Sequence, residues 1–139
     1  MTLYTVAKFM HNCIQSNVAG SIASLEIKDA PHLYAQFYIC GNENDQVNGE
    51  IYVQIAGPEN TAIFDPAIQQ RFARFLETGW SLDDGNASRK FGPFSGLDQV
   101  MILVQTSAQI LTEVYGIENP QWDLDCYTDR RLRVWSSSR

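Results

Sequence analysis

The sequence predicts an α+β, two-layer domain in which helices pack on one face of an antiparallel sheet. Three observations predict it: a long amphipathic helix between Ser95 and Gly116, a preceding series of short alternating segments, and helical periodicity near the N-terminus and after Asp65. Short connections favour antiparallel neighbours, because parallel strands need a crossover of about a dozen residues or more. The predicted order is therefore α-β-β-β-α-β-β-α, followed by a C-terminal extension.

The long helix has the clearest pattern in the chain. Apolar residues recur at steps of three and four, which places them on one helical face. Ser95 is the predicted N-cap, and Gly116 suits the left-handed position that ends a helix. The face needs a second layer, because each fully buried aliphatic side chain contributes about 1.5–3 kcal/mol. It consists of Leu97, Val100, Met101, Ile102, Leu103, Val104, Ala108, Ile110, Leu111, Val114 and Tyr115.

The first half of the chain begins with a helix and continues with three strands. Apolar residues share one helical face between Thr2 and Asn17, and the period then changes from about 3.6 to 2. The strands are predicted at 23–27, 33–40 and 51–55. A polar loop ending in Asn48-Gly49 joins the last two strands as a hairpin.

One face of this predicted sheet is aliphatic, and the other carries tyrosine and glutamine. The second face is either the ordinary solvent side of a sheet, where tyrosine has good strand propensity, or a surface for protein recognition. An open sheet edge is a further possible docking place for a partner strand. The candidate partner-binding residues are Tyr34, Gln36, Tyr38, Tyr52 and Gln54.

The second helix begins at Asp65-Pro66, an N-cap followed by the helix position that tolerates proline. The helix is predicted to end at Gly79. Residues 80–82 and 88–91 are predicted to form a small hairpin joined by a polar turn. Apolar residues alternate at Trp122, Leu124 and Cys126. A strand, an edge addition to the sheet and a packed tail are all compatible with this pattern. Ile68, Phe72, Phe75 and Trp80 are core residues in a monomer or the interface of a homodimer.

Composition and charge limit the function. The chain has 139 residues and a net charge of −6, which argues against nucleic acid and anionic membranes as partners. It lacks a signal peptide and an apolar run long enough to span a bilayer, which predicts a cytoplasmic protein. Cys13, Cys40 and Cys126 are widely spaced, so we expect reduced thiols.

No catalytic, cofactor or metal motif is evident, and we expect a protein that is not an enzyme. His11 and Cys13 point in different directions on a helix, and no second ligand pair lies near them. Asp83-Asp84 lacks the spacing of a calcium loop. The segment 92–96 lacks the lysine of a phosphate-binding loop, so a helix cap is the simpler interpretation.

The element order resembles the fold shared by bacterial type III secretion chaperones and YbjN-like proteins, including the TY-Chap domains. The likeness is strongest between Ile68 and Pro120. In this part a helix is followed by Gly79-Trp80, and the last helix ends in the sequence Val-Tyr-Gly-Ile at residues 114–117. The resemblance implies a single chaperone-like domain at 1–120 with an extension at 121–139. It also implies a non-enzymatic, often dimeric protein that binds extended segments of a partner.

A rival interpretation is a small acidic inhibitor or immunity protein that covers the basic active site of a folded partner such as a toxin. The arginines Arg130, Arg131 and Arg133 add positive charge to the extension. They form either a solvated face or a contact with the acidic first half of the same chain or of a neighbouring protomer.

Overall fold

The computed structural model describes residues 2–44 and 46–128, together with the backbone of residues 133–136. The described elements are α1 (Thr2–Gln15), β1 (Ile22–Ile27), β2 (Ala30–Gly41), β3 (Val47–Ile55), α2 (Pro58–Thr61), α3 (Pro66–Leu76), β4 (Ser81–Asp83), β5 (Asn86–Phe91), α4 (Leu97–Tyr115), β6 (Trp122–Tyr127) and β7 (Arg133–Ser136).

The seven strands form one antiparallel sheet in the order β4-β5-β3-β2-β1-β6-β7. The meander β1-β2-β3 is built as the sequence predicts. The predicted α+β class is confirmed, with the helices on one face of the sheet.

The core lies between this sheet and the pair α1 and α4. These two helices pack against each other; α1 also contacts β1 and β6, and α4 contacts β2. The aliphatic sheet face is fully buried at its centre, where Phe37, Ile39 and Val53 have no exposed surface. Burial therefore follows the two periods visible in the sequence, 3.6 in the helices and 2 in the strands.

The ends of α4 differ in part from the prediction. Gly116 ends the helix with φ 67°, as expected, but the N-cap is Gly96 and not Ser95. The backbone N–H of Ser95 donates to Gln99 Oε1 at 3.2 Å. The helical period also places Ile102 on the buried face, and this prediction is wrong, because 62% of its surface is exposed. It lies beside the buried stripe rather than on it.

The connection between β3 and β4 contains one helix that the sequence indicates and one that it does not. The Asp65 carboxylate accepts a bond from the Ala67 N–H at 2.9 Å, which confirms the predicted cap of α3. The sequence does not indicate the single turn α2. A turn of four residues is too short to show a helical period.

The segment that follows residue 120 joins the same sheet. Strand β6 pairs with β1 over its whole length, so that Leu124 lies opposite Leu25 and Cys126 opposite Ala23. Both β6 side chains are buried in the core. Of the three arrangements compatible with the sequence, a strand added beside the meander is the one observed. Arg130, Arg131 and the side chain of Arg133 lie outside the described residues.

Candidate binding face

The sheet face opposite the helices carries all five candidate partner-binding residues. Along β2, the buried residues Ala35 and Phe37 alternate with the half-buried residues Tyr34, Gln36 and Tyr38. The same alternation along β3 places Tyr52 and Gln54 on this face. The structure therefore brings the five together on one surface, hereafter the open face.

Strand register arranges the open face in three rows that run across the strands. The central row has short or amide side chains, and the tyrosine row and the acidic row flank it on either side. The central row is Ser81, Ser88, Gln54, Gln36, Ser24 and Asp125. The tyrosine row is Lys90, Tyr52, Tyr38, Ile22 and Tyr127; the acidic row is Asp83, Asn86, Tyr34, Glu26 and Asp123.

Hydrogen bonds hold two of the tyrosines in place. The Tyr52 hydroxyl donates to Asp83 Oδ2 at 2.8 Å. Asn86 Nδ2 donates to the Tyr34 hydroxyl at 3.0 Å, and Asn86 is itself fixed because its Oδ1 accepts from the Gly57 N–H at 3.0 Å. Fixed aromatic side chains lose little entropy when a partner binds, so these rings are suited to recognition.

Charge is distributed unequally between the two flanking rows. Among the side chains that the structure describes, the acidic row carries the carboxylates of Glu26, Asp83 and Asp123 and no lysine or arginine. Among the same described side chains, the tyrosine row carries Lys90 and no carboxylate. The described carboxylates of the two flanking rows therefore all lie on one side of the open face.

The thiols are protonated at neutral pH. Burial raises the pKa of Cys13 and of Cys40, and it raises the pKa of Cys126 to about 12. All three are free cysteines, as the sequence predicts. A protonated thiol is a weak nucleophile and a poor metal ligand.

Metal-ligating side chains are scattered in the part of the chain that the structure describes. Within residues 2–44 and 46–128, no three His, Cys, Asp or Glu side chains lie close enough together to hold a metal ion. His11 and Cys13 occupy different faces of α1, where His11 is half-buried and Cys13 is buried. Asp83 serves as the acceptor for the Tyr52 hydroxyl.

A separate apolar cleft lies on the helix side of the sheet, between α2, α3 and β4. It has a volume of about 380 Å³. Its lining includes Phe64, Phe72, Leu76 and Leu82, of which Phe64 is 77% and Leu82 61% exposed. The sequence does not indicate this cleft, because its walls come from a loop, a helix and an edge strand that meet only in the fold.

The four candidate dimer residues fall into two groups. Ile68 and Phe72 are buried in the core, at 9% and 7% exposure. Phe75 and Trp80 are half-buried, with ring centroids 4.8 Å apart, and Trp80 continues to Phe91 at 5.5 Å. Only the second pair retains surface that a second copy can contact.

Several residues of the open face are absent from the sequence-based candidate set. Glu26 and Asp123 are opposite each other in β1 and β6, nearly one hundred positions apart in the chain. The alternation of Trp122, Leu124 and Cys126 indicates that Asp123 faces away from the core. It does not indicate which strand lies beside it.

None of the helices in the described part of the chain is long and apolar enough to cross a membrane. No protein-family model matches this sequence, and neither a curated protein nor a solved structure matches it.

Proposed function

We propose that this protein is a non-enzymatic binding module that takes an extended segment of a partner protein on its open face. The observation that carries the proposal is the arrangement of Tyr34, Tyr38, Tyr52, Gln36 and Gln54 on one sheet face, opposite the helices. Tyrosine offers contact area at small entropic cost, and glutamine amides can donate to and accept from a partner's main chain. The resemblance to secretion chaperones and YbjN-like proteins supports the same class of function.

The geometry favours the face over the edges of the sheet. Edge strand β4 has three residues and edge strand β7 has four. A partner strand added to either gains few main-chain hydrogen bonds, and short edge strands are a common device against such pairing. The open face extends from β4 to β6 among the described side chains and offers more side-chain contacts than either edge.

The proposal is tested by comparing the affinity of the protein for an unfolded probe with its affinity for a folded probe of the same charge. Lysozyme that is reduced and carboxyamidomethylated is unfolded and basic, and native lysozyme is folded and basic. We expect the protein to bind the unfolded form about tenfold or more tightly than the native form, because only an extended chain can follow the rows. Fluorescence anisotropy at micromolar concentration measures both.

Tyr38 and Tyr52, which lie directly opposite each other, provide the matched variant. Replacing both by Ser removes two aromatic contacts, and we expect about tenfold weaker binding of the unfolded probe. Tyr4→Ser is the control, because Tyr4 lies on α1 and is 44% exposed. Equal affinities of the double variant and the wild type would remove the open face from consideration, provided that circular dichroism shows both folded.

A folded basic partner is the second candidate, favoured by the carboxylates of the acidic row. An inhibitor or immunity protein presents such a surface to the basic active site of its target. Native lysozyme binding as tightly as the unfolded form, with an on-rate that falls steeply with salt, would support this function and contradict the first.

We also propose that the protein acts in the cytoplasm. The free state of all three cysteines supports this location, because reducing compartments keep thiols unpaired.

A further inference from the structure

The segment Asn48-Gly49-Glu50 interrupts the regular ladder between β2 and β3. Between the regular pair Ile39 and Ile51 and the next pair toward the hairpin loop, β2 contributes one residue and β3 contributes three. Gly49 takes φ 83°, in the left-handed region that favours glycine. The Asn48 side chain is exposed to water at this irregularity, whereas the glycine after it is buried.

Two hydrogen bonds hold the Asn48 amide against Glu50. The Glu50 backbone N–H donates to Asn48 Oδ1 at 3.0 Å, and Asn48 Nδ2 donates to Glu50 Oε1 at 2.8 Å. The first bond polarises the amide carbonyl and so makes the Asn48 Cγ atom more electrophilic. The second bond places a carboxylate at the nitrogen that would leave if this carbon atom were attacked.

The nucleophile for such an attack is the backbone nitrogen of Gly49. The nitrogen that follows an asparagine can reach the side-chain carbonyl carbon, because the product is a small and unstrained imide ring. A side chain on the following residue shields this nitrogen, and glycine has none. Asn48 is the only asparagine in the sequence that glycine follows.

We propose that Asn48 is a self-modifying site, at which the fold promotes deamidation. The Gly49 nitrogen loses its proton to water and bonds to Asn48 Cγ, while the Glu50 N–H stabilises the negative charge that develops on Oδ1. The Cγ–Nδ2 bond then breaks. The leaving nitrogen takes up a proton from water and departs as ammonia, and the Glu50 carboxylate stabilises the positive charge that this nitrogen gains.

Solvent water opens the cyclic imide in a second step. Attack at the former side-chain carbonyl breaks its bond to the Gly49 nitrogen and gives aspartate. Attack at the main-chain carbonyl breaks the other C–N bond and gives isoaspartate, in which the main chain runs through the former side chain.

The product changes contacts on both sides of the site. A carboxylate replaces the amide beside Glu50, which adds one negative charge to the net charge of −6 and sets two like charges where a hydrogen bond lay. The Gly49 carbonyl accepts from the Phe94 N–H at 2.7 Å, and this bond links β3 to the segment before α4. Because isoaspartate lengthens the main chain beside Gly49, it weakens this link. The inference does not depend on what the open face binds.

The rate of deamidation in the folded protein, compared with that in a synthetic peptide of residues 46–52, tests the proposal. Both are incubated at neutral pH, and mass spectrometry of proteolytic fragments measures conversion at each asparagine. We expect Asn48 to be converted about fivefold faster in the folded protein than in the peptide, because the fold holds the reacting groups in place. The other asparagines should be converted more slowly than Asn48.

Glu50→Gln isolates the role of the carboxylate. Glutamine keeps an acceptor oxygen for Asn48 Nδ2 and removes the charge. We expect this variant to slow conversion about threefold in the folded protein and to leave the rate in the peptide unchanged. The control is Glu43→Gln, which removes a carboxylate from an exposed position in the neighbouring loop and should keep the wild-type rate.

The comparison of folded wild type with peptide decides the proposal even if a variant fails to fold. Conversion of Asn48 in the folded protein that is no faster than in the peptide would overturn it. Equal rates for folded Glu50→Gln and Glu43→Gln would overturn it as well, because the carboxylate at the leaving nitrogen would then have no effect. A fast folded rate that only Glu50→Gln lowers supports it.

Discussion

Removing the hydroxyl group of Tyr115 should destabilise the protein by about 2 kcal/mol. Tyr115 is 6% exposed, and its hydroxyl donates to the carbonyl oxygen of Ala56 at 2.6 Å. This bond joins the end of α4 to the end of β3. In Tyr115→Phe the net hydrogen-bond contribution of about 1 kcal/mol is lost, and the fully buried Ala56 carbonyl loses this donor, which costs about 1 kcal/mol more.

Urea denaturation measures this change directly. With a slope of about 2 kcal/mol per molar, a loss of about 2 kcal/mol lowers the midpoint by about 1 M without changing the slope. Tyr4→Phe is the control, because Tyr4 is 44% exposed and its midpoint should stay at the wild-type value. A Tyr115→Phe midpoint within about 0.2 M of wild type would refute the argument.

The pH dependence of the same variant gives a second test. Burial raises the pKa of Tyr115 from 10.0 to about 12. The unfolded chain releases the phenol proton near pH 10 and the folded protein retains it to about pH 12, so this stabilising contribution is complete below pH 10 and is lost as pH rises toward 12. Phenylalanine has no such proton, and the stability difference between wild type and variant should therefore narrow across this interval.

Two further predictions concern packing and association. A Cβ atom on Gly57 would overlap the Gly85 carbonyl oxygen, so Gly57→Ala should cost about 3 kcal/mol in thermal or urea unfolding, whereas Gly96→Ala, with open space around it, should cost about 1 kcal/mol or less. The predicted homodimer, with the half-buried Phe75 and Trp80 as its remaining contacts, should sediment at twice 15.7 kDa near micromolar concentration; a single species of 15.7 kDa would contradict it.

Local patterns in the sequence predict most of the helices and strands, because the spacing of apolar residues within a short segment determines which side chains of that element are buried. The alternation of Tyr34, Gln36 and Tyr38 with apolar residues predicts their common face, and the structure places them there. Asp65 and Gly116 mark helix ends by local backbone chemistry, and both predictions are confirmed. These features need no information from distant parts of the chain.

The features that the sequence does not predict depend on contacts between distant residues. Nothing local specifies that Asp123 lies beside Glu26, because strand pairing is set by the packing of whole faces. Ile102 is apolar and adjacent to a buried stripe, yet the neighbouring elements do not reach it. Ser95 is a good capping residue, but the chain enters the helix one residue later. Helix boundaries are commonly uncertain by this amount.

The position of β6 has a consequence for how the protein is made. Strand β6, the neighbour that pairs with the second side of β1, is synthesised about one hundred residues after β1. Until then one side of β1 exposes unpaired main-chain groups, which can recruit other nascent chains. Translation that stops near residue 120 would leave this side permanently uncovered and give an aggregation-prone product.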